Sequence, residues 1–298
     1  MNGTTLSRRR FLKSSAALAA AGLLPRAAFA KERRISKAIM HSTIRVKGSI
    51  LEKYRAVKAA GFAGVEPMGG LDRQEVIDAL KETGLKVASV CCHTHWAKPL
   101  SAAEAPTRQV GLDGLILSLQ DAQAYGATSV LLVPGVARDG VSYEQCWERS
   151  IAEIRKAIPA AKDTGVKIAI ENVWNDFITT PKQAVDYLDA INSEWVGWHF
   201  DIGNVGRYSP AEEWIPVIGK RILKLHFKEF NTKVMKETGD PRKGFSSAFL
   251  EGTNNWPAIM AALDQIGYSG WGITEQPGGD SPKGLQDLSA RLGKILAL

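Results

Sequence analysis

Four short apolar runs in the second half of the chain each finish on a side chain able to bind a metal. Ile168-Ala169-Ile170 runs into Glu171, Trp198-His199-Phe200 into Asp201, Lys224-Leu225 into His226, and Gly272-Ile273-Thr274 into Glu275. A single acid at the end of a strand ordinarily faces solvent or caps the following helix. Four such residues in succession point elsewhere. Three carboxylates converging in a partly dry site would repel one another strongly, and a divalent cation removes that penalty.

For those residues to meet, the chain must set its strands side by side. It shows eight apolar runs: 35–40, 64–66, 86–92, 129–134, 166–171, 196–201, 222–227 and 270–275. Between them lie amphipathic stretches with helical spacing, among them 50–60, 73–83, 107–125, 143–164, 181–191 and 256–266. Glycines 61, 84, 126, 165, 219 and 267 close helices just before the next run. Pro159 is expected to kink or break the long fourth helix. Each strand–helix unit takes about 33 residues, so the pattern predicts a single-domain α/β (β/α)₈ TIM barrel over residues 31–298. An open doubly wound sheet would carry a glycine-rich first turn, and none follows Met40. Active sites of such barrels sit at the C-terminal strand ends, where the four residues lie. The one long connection, Phe230 to Asn255, is expected over the mouth.

The chain of 298 residues is 45% hydrophobic and 23% charged, a composition that excludes a disordered or small disulfide-stapled protein. Of its net charge of +7, residues 1–30 carry +5, from Arg8, Arg9, Arg10, Lys13 and Arg26 with no acid. The nearly neutral remainder offers no electrostatic case for a nucleic-acid or membrane-surface partner. Ser7-Arg8-Arg9-Arg10-Phe11-Leu12-Lys13 resembles the twin-arginine export motif, and Ala28-Phe29-Ala30 a cleavage site. The apolar stretch between them is about half the roughly 20 residues that span a bilayer. These features predict a signal peptide at 1–30, export through the twin-arginine machinery to the periplasm, cleavage after Ala30, and no stable membrane insertion afterwards. Cys91, Cys92 and Cys146 read as small core residues rather than a disulfide framework.

With these motifs in place, the chain resembles the xylose-isomerase-like barrel superfamily, in its sugar isomerase/epimerase branch with the D-tagatose 3-epimerase and hydroxypyruvate isomerase groups. His226-Phe227-Lys228-Glu229, Leu250-Glu251-Gly252-x₃-Trp256 and Gly61-Phe62-x-Gly64-Val65-Glu66 each match a family fragment, in the family's order. The resemblance implies one metal held by Glu171, Asp201, His226 and Glu275. Such an oxygen-rich set favours Mn²⁺, with Mg²⁺, Co²⁺ or Zn²⁺ open. It also implies proton transfer on a ketose, keto-sugar or hydroxy-ketone, with Glu171 and Glu275 as the acid–base pair and a cis-enediolate between. Two positions depart from the epimerases: Asn204 stands where they place a substrate-holding His, and Phe177 where they place a second substrate-binding Glu. A lyase acting on a keto-sugar or keto-glycoside therefore stays open, as does a non-catalytic sugar-binding protein. A DNA endonuclease of the same superfamily would need more histidines and a basic groove.

The remaining candidates are substrate contacts. His93 and His95 follow the third run with a spacing that could aim both into the mouth, and His41 ends the first. Lys228 shares a face with His226 one step outward. Asn204 and Glu66 sit at strand ends, Glu66 either in contact with substrate, behind a ligand or as a helix cap. Trp174 and Trp96 could stack on a sugar face or pack in the core. His199 lies deeper than Asp201 and reads as a supporting or core histidine. A small carbohydrate is the expected partner, and a homo-oligomer stays open.

Overall fold

The computed structural model describes Met1 and residues 35–298. The twin-arginine motif, the apolar stretch after it and the cleavage site at Ala30 lie outside the described residues. Nine strands form one parallel sheet: β1 (Ile35–Met40), β2 (Gly64–Glu66), β3 (Lys86–Val87), β4 (Val90–Cys91), β5 (Ser129–Leu132), β6 (Lys167–Glu171), β7 (Val196–Asp201), β8 (Ile222–Phe227) and β9 (Gly270–Thr274). Their order around the sheet is β3-β2-β1-β9-β8-β7-β6-β5-β4. The two outer strands are consecutive in the chain, so the sheet is a barrel of eight staves whose third is interrupted.

That interruption corrects the expectation of one strand over 86–92. The stave changes partner halfway: β3 pairs with β2, and β4 pairs with β5. Between them the Ser89 hydroxyl donates to the Ser129 carbonyl oxygen at 3.2 Å. Backbone bonds from Cys91 N to Pro67 O (2.9 Å) and from Gly69 N to Cys91 O (2.8 Å) close the ring on the β2 side.

Helices alternate with the strands: α1 (Ile50–Ala59), α2 (Arg73–Thr83), α3 (Ala105–Tyr125), α4 (Tyr143–Thr164), α5 (Pro181–Ile191), the short α6 (Ile202–Val205), α7 (Ala211–Ile218), α8 (Thr232–Thr238), α9 (Trp256–Gln265) and α10 (Pro282–Leu296). Ser49 and Glu52 form a capping box that starts α1, and Thr180 and Gln183 one that starts α5. Gly126 and Gly165 end α3 and α4 in the left-handed conformation, at φ 74° and 69°. Pro159 does not break α4, which continues through it to Thr164.

Alternation along each strand divides the buried side chains into two sets. Ile39, Val65, Ile168, Ile170, Phe200 and Leu225 join the large core under the helices, while Ala38, Met40, Cys91, Leu131 and Ile273 form a separate small cluster on the inner face. Glu66, next to Val65, therefore points inward. All three cysteines are free and buried, and among the described residues no helix is long and apolar enough to cross a membrane.

Candidate active site

Glu171, Asp201 and His226 end β6, β7 and β8 or stand one residue short of the end, and Glu275 follows β9 directly. Glu275 stays in the ladder, because its backbone N donates to Phe227 O at 3.1 Å. Neighbouring strands in register therefore bring one ligand atom from each of the four within 4.8 Å of one another. Glu171, Asp201 and His226 are buried, and Glu275 is partly open. The His226 ring Nδ1 faces Glu171 Oε1 at 2.9 Å, Glu275 Oε2 at 3.3 Å and Asp201 Oδ2 at 3.8 Å. Its Nε2 contacts Glu66 Oε2 at 2.8 Å. With Nε2–H donating to the Glu66 carboxylate, the Nδ1 lone pair is left to the cluster, which is how a metal-binding histidine is usually oriented. Asp201 Oδ2 is buried with no hydrogen bond. The set of three carboxylates, a correctly turned imidazole and a buried carboxylate oxygen without a hydrogen bond fits a metal ion.

Hydrogen bonds hold these residues from behind. The Asn172 side chain accepts from Asp201 N (3.1 Å) and from Trp198 Nε1 (3.0 Å), and donates to Asp201 O (2.8 Å). Asn204 N donates to Asp201 Oδ1 at 2.8 Å, at the start of α6. The Lys228 ammonium reaches Glu275 Oε2 at 2.6 Å and Asp201 Oδ2 at 3.2 Å, and donates to Asn204 Oδ1 at 3.3 Å.

The two glutamates are set apart electrostatically. Burial pushes the Glu171 carboxyl up to about 7 against the pull of His226, with Glu275 and Asp201 adding to the rise. Burial also opposes ionisation of Glu275, but Lys228 and His226 outweigh it and hold that carboxyl below its ordinary range. Burial raises Asp201 to about 6, with Lys228 opposing. For His226, burial favours the neutral ring, yet Glu66 and Glu171 carry its pKa above the ordinary value.

A cavity of about 300 Å³ opens over the cluster, with Glu171, Glu275, Lys228, Asn204, Trp174 and His95 in its wall. His95 Nδ1 accepts from Val133 N at 3.2 Å, so the proton sits on Nε2. Burial lowers its pKa to about 3. Trp174 donates its indole N–H to Asn204 O at 2.8 Å and meets Phe245 at 4.8 Å between ring centroids. Trp96, half-exposed, stands edge-on to His95 at the rim.

Three candidates are placed elsewhere. His93 is exposed and folds over Gly69 and Gly70, because the loop after β2 leaves its space there. Glu66 is wholly buried beneath His226 and does not reach the mouth. His41 turns away to pack against Tyr54. His199 lies fully buried with its ring centroid 4.2 Å from that of His226, neither nitrogen hydrogen-bonded and Nδ1 4.0 Å from Glu66 Oε1. Sequence reasoning missed Arg242 and Phe245, which line the cavity from the long seventh connection; an aromatic in that segment was the available signal. It also missed Asn172, whose place directly after Glu171 was the only sign of its role.

A model of the family described as xylose isomerase-like TIM barrel matches residues 54–295, and one for the twin-arginine translocation pathway signal sequence matches residues 5–25. L-ribulose-5-phosphate 3-epimerase UlaE of Salmonella paratyphi A is 25% identical over 269 residues, covering 82% of this chain and 90% of the relative. Two solved structures share the fold. One is the apo form of the E. coli 3-keto-D-glucoside 4-epimerase YcjR, with TM-score 0.74, 19% identity, and 89% of this chain and 100% of that chain covered. The other is a D-psicose 3-epimerase crystallised in the presence of D-fructose, with TM-score 0.72, 16% identity, and 87% and 98% covered. Since the family match spans nearly the whole barrel, the chain belongs to the xylose isomerase-like TIM barrel family.

Proposed function

We propose that this chain is an exported, divalent-metal-dependent sugar isomerase or epimerase acting on a ketose or keto-sugar through a cis-enediolate. The observation that carries it is the meeting of Glu171, Asp201, His226 and Glu275 under a sugar-sized cavity. The names of the curated relatives, sugar epimerases, support the same class. A cation held by those four residues, Mn²⁺ by preference, would polarise a substrate carbonyl and acidify the neighbouring C–H.

The chain's own residues do the rest. One of Glu171 and Glu275 accepts the carbon-bound proton. The other carboxyl, or the same one, returns a proton at another carbon or on the opposite face, and the Lys228 ammonium lies 2.6 Å from Glu275 Oε2. The Lys228 ammonium and the His95 Nε2–H supply positive ends to the oxygens that gain charge. Trp174 and Phe245 cover the site and keep water from the reacting carbons.

Elimination by a lyase is the second reading. It is favoured by Phe177, which packs among Tyr143 and Tyr187 in the core and leaves no second substrate glutamate at that position. Incubation of Mn²⁺-loaded protein with ketoses and keto-glycosides in D₂O separates the two. Deuterium incorporation without elimination, abolished by a chelator, is the expected result. Elimination products would shift the reading to a lyase, and neither product would end both. The twin-arginine match supports export, with mass spectrometry expected to find Lys31 at the N-terminus of the exported protein.

A further inference from the structure

The cavity over the ligand cluster has a neighbour. A second, larger chamber of about 700 Å³ shares Lys228, Phe245 and Glu275 with the first. Pockets that hold small organic ligands span about 300–1,000 Å³. The first chamber lies at the floor of that range, and the second lies well inside it. A single sugar ring placed at the ligand cluster would leave the second chamber open.

The second chamber is built by two loops tied together. Arg45 N donates to Gly279 O at 2.8 Å, joining the turn after β1 to the loop after β9. The approach is so close that a Cβ on Gly279 would stand 2.3 Å from Thr43 O. Ser42, Arg45 and Asp280 line this chamber, with Phe245 and Pro277 as apolar wall. Arg45 and Asp280 are exposed, and among the described residues neither side chain has a partner. A wall with a cation, an anion, a hydroxyl and an aromatic face suits a neutral ring of hydroxyls, which both donate and accept. It suits a phosphate poorly, because Asp280 would repel one.

We propose that the second chamber is a subsite for an unreacted sugar ring, so that the substrate is a glycoside or oligosaccharide carrying the reacting ketone on one ring. This rests on the sugar-directed reading of the ligand cluster. Phe245, which lies in the wall of both chambers, stands where the glycosidic linkage crosses between them.

Calorimetric titration of the Mn²⁺-loaded full chain tests it with three probes: a disaccharide with one ring oxidised to a ketone, the matching keto-monosaccharide, and that monosaccharide's phosphate ester. The disaccharide is expected to bind roughly ten-fold tighter than the monosaccharide, as one or two added hydrogen bonds and a ring contact would give. Arg45→Ala and Asp280→Ala should each erase most of that gain while leaving monosaccharide binding and thermal melting unchanged. Equal affinities, a preference for the phosphate ester, or variants that weaken both sugars alike would overturn the proposal, as would no binding at all. Binding requires no proton transfer. A two-ring preference without hydrogen exchange in D₂O would remove the proton-transfer reading and leave the subsite standing. Exchange in a monosaccharide without the preference would do the reverse.

Discussion

The barrel has two halves of unlike regularity, and they supply unlike things. From β6 to β9 the strands run five or six residues, and all four ligand residues ride at their ends. From β2 to β5 the strands run two to four residues and the third stave is broken. That half sends His95 to the mouth from a loop and Glu66 to the rear of His226. A ladder of backbone hydrogen bonds fixes atoms within the tolerance that a four-point ligand site needs. Loop-borne groups suit selection among substrates instead. The proposed chemistry thus rests on the regular half, with support and choice falling to the irregular half.

The sharpest way to break that division is in the regular half. Glu171→Gln and Glu275→Gln keep shape and a ligand oxygen but cannot accept a proton at neutral pH. At least one is expected to retain Mn²⁺ and to lose solvent exchange of substrate hydrogen by about 10² to 10⁴. Normal turnover in both metal-loaded variants would strip the glutamates of any acid–base part. If one variant alone blocks exchange, a single shuttling base is at work. A block confined to one epimer for each variant indicates bases on two faces.

A smaller effect is expected from the irregular half. Glu66→Gln replaces the carboxylate behind His226 with an amide and should weaken Mn²⁺ binding about 10- to 100-fold. Activity should recover at saturating metal, because Glu66 touches no substrate. A loss of activity that added metal does not restore would place Glu66 in the chemistry.

The smallest effect concerns His95, neutral in the fold with its pKa near 3 against about 6.5 when unfolded. Below about pH 6.5 the unfolded chain takes up this proton and the fold does not, so stability is full above that pH and falls as pH drops toward 3. The loss is about 1.4 kcal/mol per pH unit, or about 2 kcal/mol between pH 7 and 5. His95→Asn keeps an acceptor for Val133 N–H and has no such proton, so urea unfolding at the two pH values should show a smaller loss. An unchanged acid dependence would mean that His95 is not held neutral.

The same division explains what could be read in advance. In the regular half, an apolar run ending in a residue able to bind a metal is a local pattern, so the meeting of Glu171, Asp201, His226 and Glu275 was legible one strand at a time. The bounds of α2, α4 and α5 were legible too, because caps and glycines punctuate them. In the irregular half, orientation depends on partners far away in the chain. His93 and His95 differ by two residues; the Val133 amide holds His95 at the mouth, and the loop after β2 takes in His93. Glu66 could be placed behind His226 only by knowing that β2 faces β8 across the barrel. Pro159 does not end α4, because the packed face of the helix outweighs one missing backbone bond.

Two sequence fragments that looked separate, the stretch ending in Glu229 and the one from Leu250 to Trp256, are halves of a single knot. Glu229 accepts from Leu250 N (2.8 Å) and Trp256 Nε1 (2.8 Å) on one oxygen and from Asn254 N (3.3 Å) on the other, and a Cβ on Gly252 would collide with it. Both ends of the long seventh connection are therefore pinned at one buried carboxylate, next to a ligand strand but independent of what lies between. The intervening stretch, which carries Arg242 and Phe245, behaves as an exchangeable cassette. Its length and sequence can be redrawn, by natural drift or by an engineer, to change what the cavity admits while Glu171, Asp201, His226 and Glu275 stay where they are.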